Sequence, residues 1–367
     1  MTEDHAAAGS TVAGPPRGNF TAPAHRGRLG RVSLGQIVTV QVAAVAAVAT
    51  YPQPDAVFIP VLLAGGLLTA ATFARRPGRW WYEDLLLRWR LRRRVRRGSQ
   101  SSAPSVREIT DRGTRVGVGL DPAGFYTVLS VAAAHPDPLR RPELDRILAA
   151  LANTEAPVSA MQLVHHHVPL PTVASAAGRQ TWLALRLDAD DAAGEAASRG
   201  GGVDGVHRAL TAAIGRVSKT LRADGLDCWP LTADQVTAAV AAVAAPPDGE
   251  PDTREHWHGR EAADATYVCF RMLGTFSLAE IDEVLRDTSV LSYTLSVRMP
   301  ISERRDGARP PRHGLLQVAA GAGLLDSTVA EVAALARRVG CQLQRLDGWH
   351  GPGGYATAPT GAPPANR

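Results

Sequence analysis

The sequence contains little cysteine and lacks several common catalytic motifs. Its three cysteines are widely spaced and odd in number, so they cannot all pair and do not have metal-ligand spacing. We therefore expect buried thiols in a reducing compartment at Cys228, Cys269 and Cys341. No HExxH helix, GxxxxGK[ST] phosphate loop or GxSxG nucleophile elbow is present. We predict no catalytic residue, no bound metal and no cofactor.

The chain has no net positive charge beyond its arginine-rich first 97 residues. Up to residue 97 the chain holds 14 arginines against 5 acidic residues, whereas the remainder holds 26 basic and 30 acidic residues. A nucleic-acid-binding protein presents a basic face, and this distribution predicts none on the main body. We predict no nucleic-acid partner, with binding through the arginine-rich segment as an alternative.

Two long uncharged runs precede the arginine-rich segment. Residues 32–51 read VSLGQIVTVQVAAVAAVATY and residues 56–74 read AVFIPVLLAGGLLTAATFA; each is close to the ~20 residues that cross a hydrocarbon core as a helix. Only PQPD lies between them, and its prolines break a helix and force a turn. We predict an antiparallel transmembrane hairpin over residues 31–74, preceded by a disordered cytosolic leader, residues 1–30.

The arginines around the hairpin predict its orientation. Four arginines precede the first run and ten follow the second, whereas the connecting turn carries only Asp55. The positive-inside rule then places both termini in the cytoplasm and predicts a multi-pass protein of the cytoplasmic membrane. Two alternatives are a pair of core helices in a soluble protein and a cleavable signal peptide, for which AVA at residues 47–49 resembles a cleavage site.

Residues 75–97, RRPGRWWYEDLLLRWRLRRRVRR, combine ten arginines with three tryptophans. The aromatic residues come first and most arginines last, as expected for a juxtamembrane helix that passes through the lipid headgroups into the cytosol. We predict that this helix binds anionic lipid. The predicted membrane-interface residues are Arg75, Arg76, Arg79, Trp80, Trp81, Tyr82, Arg88, Trp89, Arg92, Arg93 and Arg94.

After a flexible linker, residues 98–105, the chain has the pattern of an α+β cytosolic domain. Residues 106–245 contain the order strand, helix, strand, strand, helix, strand, and residues 265–350 repeat it. This is the βαββαβ order of ferredoxin-like units. We predict a tandem duplication joined by a linker loop, residues 246–264, and followed by a disordered Pro/Gly-rich tail, residues 351–367.

Histidine-rich segments suggest a competing hypothesis. The loop EHWHGRE, residues 255–261, has the composition of a zinc or general-base site and would make the chain a membrane-tethered metal-dependent hydrolase. Its candidate ligands are Glu255, His256, His258 and Glu261. A charged, solvated loop is the alternative.

Two further segments have weaker signals. In VHHHVP, His165 and His167 share one strand face, but no third metal ligand is evident. The glycines at 200–202 precede a helix and could admit an anion at its start, or form a plain loop.

With these features in place, the chain resembles the EccE family of type VII secretion systems from about residue 30 to about residue 350. No single motif is specific, and the order of the segments carries the resemblance. These segments are GRWWYEDLLLRWRLRRR, VGVGLDPAGFYTVLSV, MQLVHHHVP, TWLALRLD, RGGGVDGVHRAL, ADATYVCFRM, LSVRM and CQLQRLDG.

The resemblance implies a structural and assembly subunit of the type VII (ESX) secretion complex in the cytoplasmic membrane of actinobacteria. Its implied neighbours are EccB, the EccC ATPase, EccD and the mycosin protease, and the implied cargo comprises WXG100, PE and PPE-type proteins. The family brings no catalytic motif that can be placed on residues of this chain, so the resemblance implies no enzyme.

Overall fold

The computed structural model describes residues 17–21, 28–29, 32–51, 54–76, 79–97, 104–111, 113–133, 144–169, 178–244, 254–262, 265–301 and 310–363. The N-terminal elements are β1 (Gly18–Phe20), β2 (Arg28–Leu29), β3 (Val32–Ser33), α1 (Leu34–Thr50), α2 (Asp55–Phe73), β4 (Arg75–Arg76), β5 (Arg79–Trp80) and α3 (Trp81–Arg97).

Helices α1 and α2 form an antiparallel pair. The Gln36 amide donates to the Thr72 carbonyl over 3.0 Å, which joins the start of one helix to the end of the other. Helix α2 buries none of its residues. Among the described residues, α2 alone is long and apolar enough to cross a membrane, and α1 is a shorter apolar helix of 17 residues. The structure thus supports one candidate span, α2, and does not confirm α1 as the second span of the predicted hairpin.

The rest of the chain forms two units with matching element order, and the expected α+β class is confirmed. Unit 1 contains β6 (Ser105–Asp111), β7 (Thr114–Asp121), β8 (Gly124–Ala133), α4 (Leu144–Ala152), β9 (Ala160–His167), β10 (Arg179–Asp188), α5 (Ala189–Ala197), α6 (Gly202–Ala223), β11 (Leu226–Pro230) and α7 (Ala233–Ala244). Unit 2 contains β12 (Arg254–Glu255), β13 (Arg260–Ala262), β14 (Ala265–Phe276), α8 (Leu278–Arg286), β15 (Ser292–Pro300), β16 (His313–Gly321), α9 (Leu325–Arg338), β17 (Cys341–Arg345) and α10 (His350–Thr357).

The strands of both units form one antiparallel sheet. Unit 1 has the strand order β11-β8-β10-β9, and unit 2 has the corresponding order β17-β14-β16-β15. The units meet where β9 pairs with β15, with Val164 opposite Ser296. Strand β9 lies in the middle of this sheet and is buried along its whole length, including its four polar residues Gln162, His165, His166 and His167.

Helices cover both faces of the sheet. On one face, α4, α6, α8 and α9 enclose the main apolar core. On the opposite face, here called the outer face, α7 packs on unit 1 and α10 packs on unit 2. Strand β8 supplies both layers by alternation: Leu129 points into the main core and Val128 into the layer under α7.

The C-terminal residues differ from the predicted disordered tail. Helix α10 is followed by a buried segment, residues 358–363, which we call the C-terminal strap. The Gly361 amide donates to the Gln162 side chain over 2.6 Å, and the Arg298 guanidinium donates to the Gly361 carbonyl over 2.9 Å. The strap is ordered because these polar side chains of β9 and β15 bind its backbone. Residues 364–367 lie outside the described residues.

A fully buried arginine fixes the strap to unit 1. The two terminal nitrogens of Arg186 donate to the Asp121 carboxylate at 3.0 and 2.5 Å. The same guanidinium donates to the Thr360 carbonyl over 2.9 Å, and the Tyr355 hydroxyl donates to Asp121 over 2.7 Å. Although burial opposes ionisation of Asp121, the hydrogen bonds from Arg186 and Tyr355 hold the pKa of its carboxyl below the ordinary value.

Parts of the predicted leader and linkers are also structured. Strand β1 pairs with β14, and its Phe20 is buried and stacked on Phe276 with ring centroids 4.3 Å apart. Residues 254–262, predicted as part of a linker loop, form the β12–β13 hairpin at one end of the sheet. Local composition favours disorder in such segments, but pairing with a preformed strand overrides it. Residues 98–103 and 245–253 lie outside the described residues.

Candidate functional site: the arginine-rich helix and its partners

Helix α3 has an outward face that contacts little of the described chain. Trp89 is 56% exposed and Leu85 45% exposed, and Arg92, Arg93 and Arg96 are exposed beside them. The Arg93 guanidinium lies 5.2 Å from the centre of the Trp89 ring, a cation–π distance. This face therefore presents apolar rings near the start of the helix and positive charge near its end.

The opposite face of α3 packs inward. Leu87 and Leu91, one helical turn apart, are buried. The Arg88 guanidinium is hydrogen-bonded to Asp84 over 3.0 Å and lies 4.7 Å from the centre of the Trp257 ring of unit 2. Because α3 approaches the body on this side, its arginines divide into an inward and an outward group.

Arg94 makes the closest contacts between α3 and unit 2. Its guanidinium donates to the Gly348 carbonyl over 2.6 Å and to the Glu255 carboxylate over 3.3 Å. It also lies 4.9 Å from the centre of the Trp349 ring. The Glu255 carboxylate in turn accepts the Gly351 amide over 2.9 Å at the start of α10. We call this set of contacts the α3–α10 joint.

The predicted membrane-interface residues are thus not equivalent. Arg94 is partly buried against the body, and Arg88 contacts Trp257 although its side chain is exposed. Trp81, Trp89, Arg92 and Arg93 are exposed. Tyr82 is partly buried in the first turn. For the four residues before α3 the structure describes only the backbone, which forms the β4–β5 pair: Arg75, Arg76, Arg79 and Trp80. Their contact with lipid stays a prediction.

Sequence reasoning did not identify the partners of Arg94. The available signal is a repeated tripeptide, WHG, which occurs at residues 257–259 and again at residues 349–351. The two copies meet in the structure, where the Gly348 amide donates to the Trp257 carbonyl over 2.9 Å. Tryptophans in short connections between strands are good candidates for contact with an arginine-rich helix.

The four candidate ligands of the predicted histidine and glutamate loop do not converge. His256 lies 3.2 Å from Glu261, and both side chains are exposed. His258 accepts from Arg345 over 2.8 Å if its Nδ1 is unprotonated, and Glu255 is turned toward Arg94. Among the described residues, which include this whole segment, no three His, Cys, Asp or Glu side chains are grouped to hold a metal ion.

The three consecutive histidines of β9 all contact unit 2. His165 lies 3.2 Å from Asp282 on one side and 2.9 Å from the Thr181 hydroxyl on the other. His166 is hydrogen-bonded to Thr294 over 2.8 Å. The His167 ring lies 5.0 Å from the ring of Tyr293. The histidines therefore help to join the two units.

Burial shifts the pKa of titratable groups at the β9–β15 contact between the two units, which we call the seam. Burial lowers the pKa of His166 and of His167 to about 4, with charge repulsion from neighbouring groups adding to the shift. For Asp282, burial raises the pKa, but contacts with His165, Tyr293 and Arg286 outweigh it and leave the pKa below its ordinary value. Neutral His166 and His167 are consistent with packing at neutral pH.

The glycine-rich run before α6 has GxGxxG spacing at Gly200, Gly202 and Gly205, but helix α5 precedes it where a dinucleotide-binding fold has a strand. A Cβ at position 205 would lie 2.5 Å from the Ala196 carbonyl oxygen, so this glycine permits close packing of α5 on α6. The run is explained by the connection between the two helices.

The three cysteines are buried free thiols, as expected. Burial raises the pKa of all three, and that of Cys341 reaches about 12. The thiols are therefore protonated at neutral pH and have the low reactivity of apolar core residues.

These features define a class of protein in which an N-terminal apolar helix pair is attached to a two-unit α/β body. Residues 175–272 match the model of a family described as "Putative type VII ESX secretion system translocon, EccE". The matched segment runs from the start of β10 into β14, roughly a quarter of the chain. This segment is similar to the EccE family, and the match supports the resemblance that the sequence indicated. No curated protein matches it.

Proposed function

We propose that the chain is a structural and assembly subunit of the type VII secretion complex and takes part in export of WXG100, PE and PPE-type proteins across the cytoplasmic membrane. The family match over residues 175–272 carries this proposal. The packed α+β body adds support, because His165, His166 and Glu255 have structural partners within it. Its partners would be the other membrane subunits, EccB, EccC, EccD and the mycosin protease.

The membrane topology that we propose is a two-span hairpin with both termini in the cytoplasm. Strand β1 precedes α1, and α3 follows α2, yet both contact unit 2. A chain whose two flanks lie on one body crosses a bilayer an even number of times between them. If α2 spans the membrane, α1 therefore crosses back, and its 17 residues reach the lower limit for a span.

We also propose that the outward face of α3 binds anionic headgroups. Each exposed arginine near the membrane surface contributes about 1 kcal/mol to such binding. Native mass spectrometry of the full chain in phosphatidylglycerol-containing nanodiscs tests this. Substitution of Arg92, Arg93 and Arg96 by glutamine is expected to reduce the number of retained anionic lipids. Equal retention would contradict the anchor role.

The two units are proposed to descend from a tandem duplication. Beyond their common strand order, they share one diagnostic hydrogen bond. The Leu231 amide donates to the Val128 carbonyl in unit 1, and the Leu346 amide donates to the Cys269 carbonyl in unit 2, each over 2.9 Å. Each bond ties the segment after the last strand of its unit to a corresponding strand, β8 in unit 1 and β14 in unit 2.

Purification from native membranes tests the proposed function. Tagged chain would be extracted in mild detergent, and co-eluting proteins identified by mass spectrometry. Co-elution with EccB, EccC and EccD homologues in one large complex is the expected result. Elution alone, or bound zinc with hydrolase activity that is lost on substitution of His256, would contradict the subunit role and favour the metal-dependent hydrolase.

A further inference from the structure

Unit 2 holds a carboxylate that depends on α3. The Glu255 side chain is only 6% exposed, and its Oε1 accepts both the Gly351 amide and the Arg94 guanidinium. A carboxylate withdrawn from water to this extent requires a compensating charge and hydrogen bonds. Arg94 brings that positive charge from a helix 161 positions earlier in the chain.

The second acceptor for Arg94 is built into a strained turn. Gly348 has a φ of 71°, in the left-handed region that favours glycine. A Cβ at this position would also lie 2.7 Å from the Trp257 ring. Both the positive φ and the nearby Trp257 ring thus require glycine at position 348. The turn directs the Gly348 carbonyl toward Arg94, with the Trp349 ring beside it.

A separate contact holds the other flank of the helix pair. The Thr21 amide donates to the Arg312 carbonyl over 3.2 Å, and the Thr21 carbonyl lies 3.0 Å from Nδ1 of His313. Together with Phe20 stacked on Phe276, these bonds attach β1 to the opposite part of unit 2. Both flanks of α1 and α2 are therefore bound by the same unit.

We propose that unit 2 is a two-point clamp for the membrane hairpin, and that the α3–α10 joint is the contact that fixes the orientation of the body relative to the membrane. The surface formed by Glu255, Trp257, Gly348 and Trp349 is a receptor for the inward face of α3. This inference rests on the proposed membrane location of α1 and α2, but not on the identity of the other secretion subunits.

The test is a distance measurement on the full chain in lipid nanodiscs. Spin labels at Asp55→Cys, beside the turn between α1 and α2, and at Glu283→Cys, on the exposed side of α8, report the position of the body. The three native thiols are buried and do not compete for label. Arg94→Gln is expected to broaden the distance distribution about twofold or more, because the joint opens. Arg90→Gln, which removes the same charge from an exposed position of the same helix that is not among the residues proposed to bind lipid, is the matched control and is expected to leave the width unchanged.

A second variant tests the same joint in case Arg94→Gln does not fold. Glu255→Gln keeps the shape of the side chain and removes its charge, and it is expected to increase hydrogen exchange at the Gly351 amide by about tenfold. Unchanged distances in Arg94→Gln, or equal broadening in Arg90→Gln, would overturn the clamp. Failure of the chain to enter nanodiscs would instead refute the membrane location, and loss of co-purifying subunits alone would bear only on the proposed function.

Discussion

Units 1 and 2 share a strand order but complete their outer faces differently. In unit 1 a 12-residue helix, α7, covers the sheet with Val236, Val240 and Val243. In unit 2 the equivalent helix α10 has eight residues, three of them glycine. Unit 2 is also contacted by α3, through the charged pair of Arg94 and Glu255.

This difference shows that the same fold can use apolar packing in one unit and a hydrogen-bonded ion pair in the other. Apolar burial is non-directional and makes a face that is complete within the unit. A buried ion pair with hydrogen bonds is directional, and it contributes specificity where two separate segments have to meet in one orientation. Unit 2 receives β1 and α3 and binds the strap through Arg298, whereas unit 1 receives the strap and Tyr355 of α10.

The largest expected effect concerns the strap, which binds side chains of both units. Arg186→Met leaves Asp121 buried without its ion-pair partner, and we expect a loss of about 3–5 kcal/mol in the free energy of unfolding. Urea unfolding of the full chain in detergent measures it, with the exposed Arg216→Met as control. A loss below about 1 kcal/mol would mean that the strap does not join the units.

The seam between the units is expected to weaken in acid. The pKa of His166 falls from 6.5 to about 4 on folding, so its contribution is complete above pH 6.5 and is lost as the pH falls toward 4. We expect a decrease of about 2–3 kcal/mol over this range. Unfolding curves at several pH values measure it, and His166→Gln is expected to flatten the dependence. The same slope in wild type and variant would assign the acid sensitivity elsewhere.

The apolar cover of unit 1 is expected to respond to a small cavity. Val240→Ala removes two buried carbon atoms from the layer under α7, and we expect a loss of about 1.5–2 kcal/mol. Thr237→Ala, on the exposed side of the same helix, is the control. Denaturant unfolding distinguishes the two, and equal values would show that α7 does not depend on apolar packing.

The smallest global effect is expected at β1. Phe20→Ala removes a buried ring from a three-residue edge strand, which can detach without unfolding the sheet. We expect less than about 1 kcal/mol in global stability but rapid hydrogen exchange at residues 18–20. Asn19→Ala, which is exposed, is the control. Retained protection in Phe20→Ala would show that backbone pairing alone holds β1.

Strong local signals predicted many elements of the body. The cap at Ser277 with Glu280 three residues later marks the start of α8, and both bonds of the capping box are present. Helix α5 was missed because ADDAAGEAA has a short, weakly apolar pattern after a strand. The strap was predicted as disorder because its composition matches that of tails, and the acceptors and donors of Gln162 and Arg298 are distant in sequence.

The candidate site also combines features that the sequence predicts with features that only the tertiary structure shows. The sequence by itself determined that a basic and aromatic helix follows the apolar segment, because charge, ring content and periodicity are local properties. The predicted start at residue 75 was wrong, since the helix begins at Trp81 and the β4–β5 pair precedes it. Only the tertiary structure decided which arginines face inward, since the partners of Arg94 lie 161 and 254 positions away. Burial of Glu255 and the left-handed turn at Gly348 make that choice, and neither is visible until the sheet brings β12 and the start of α10 together.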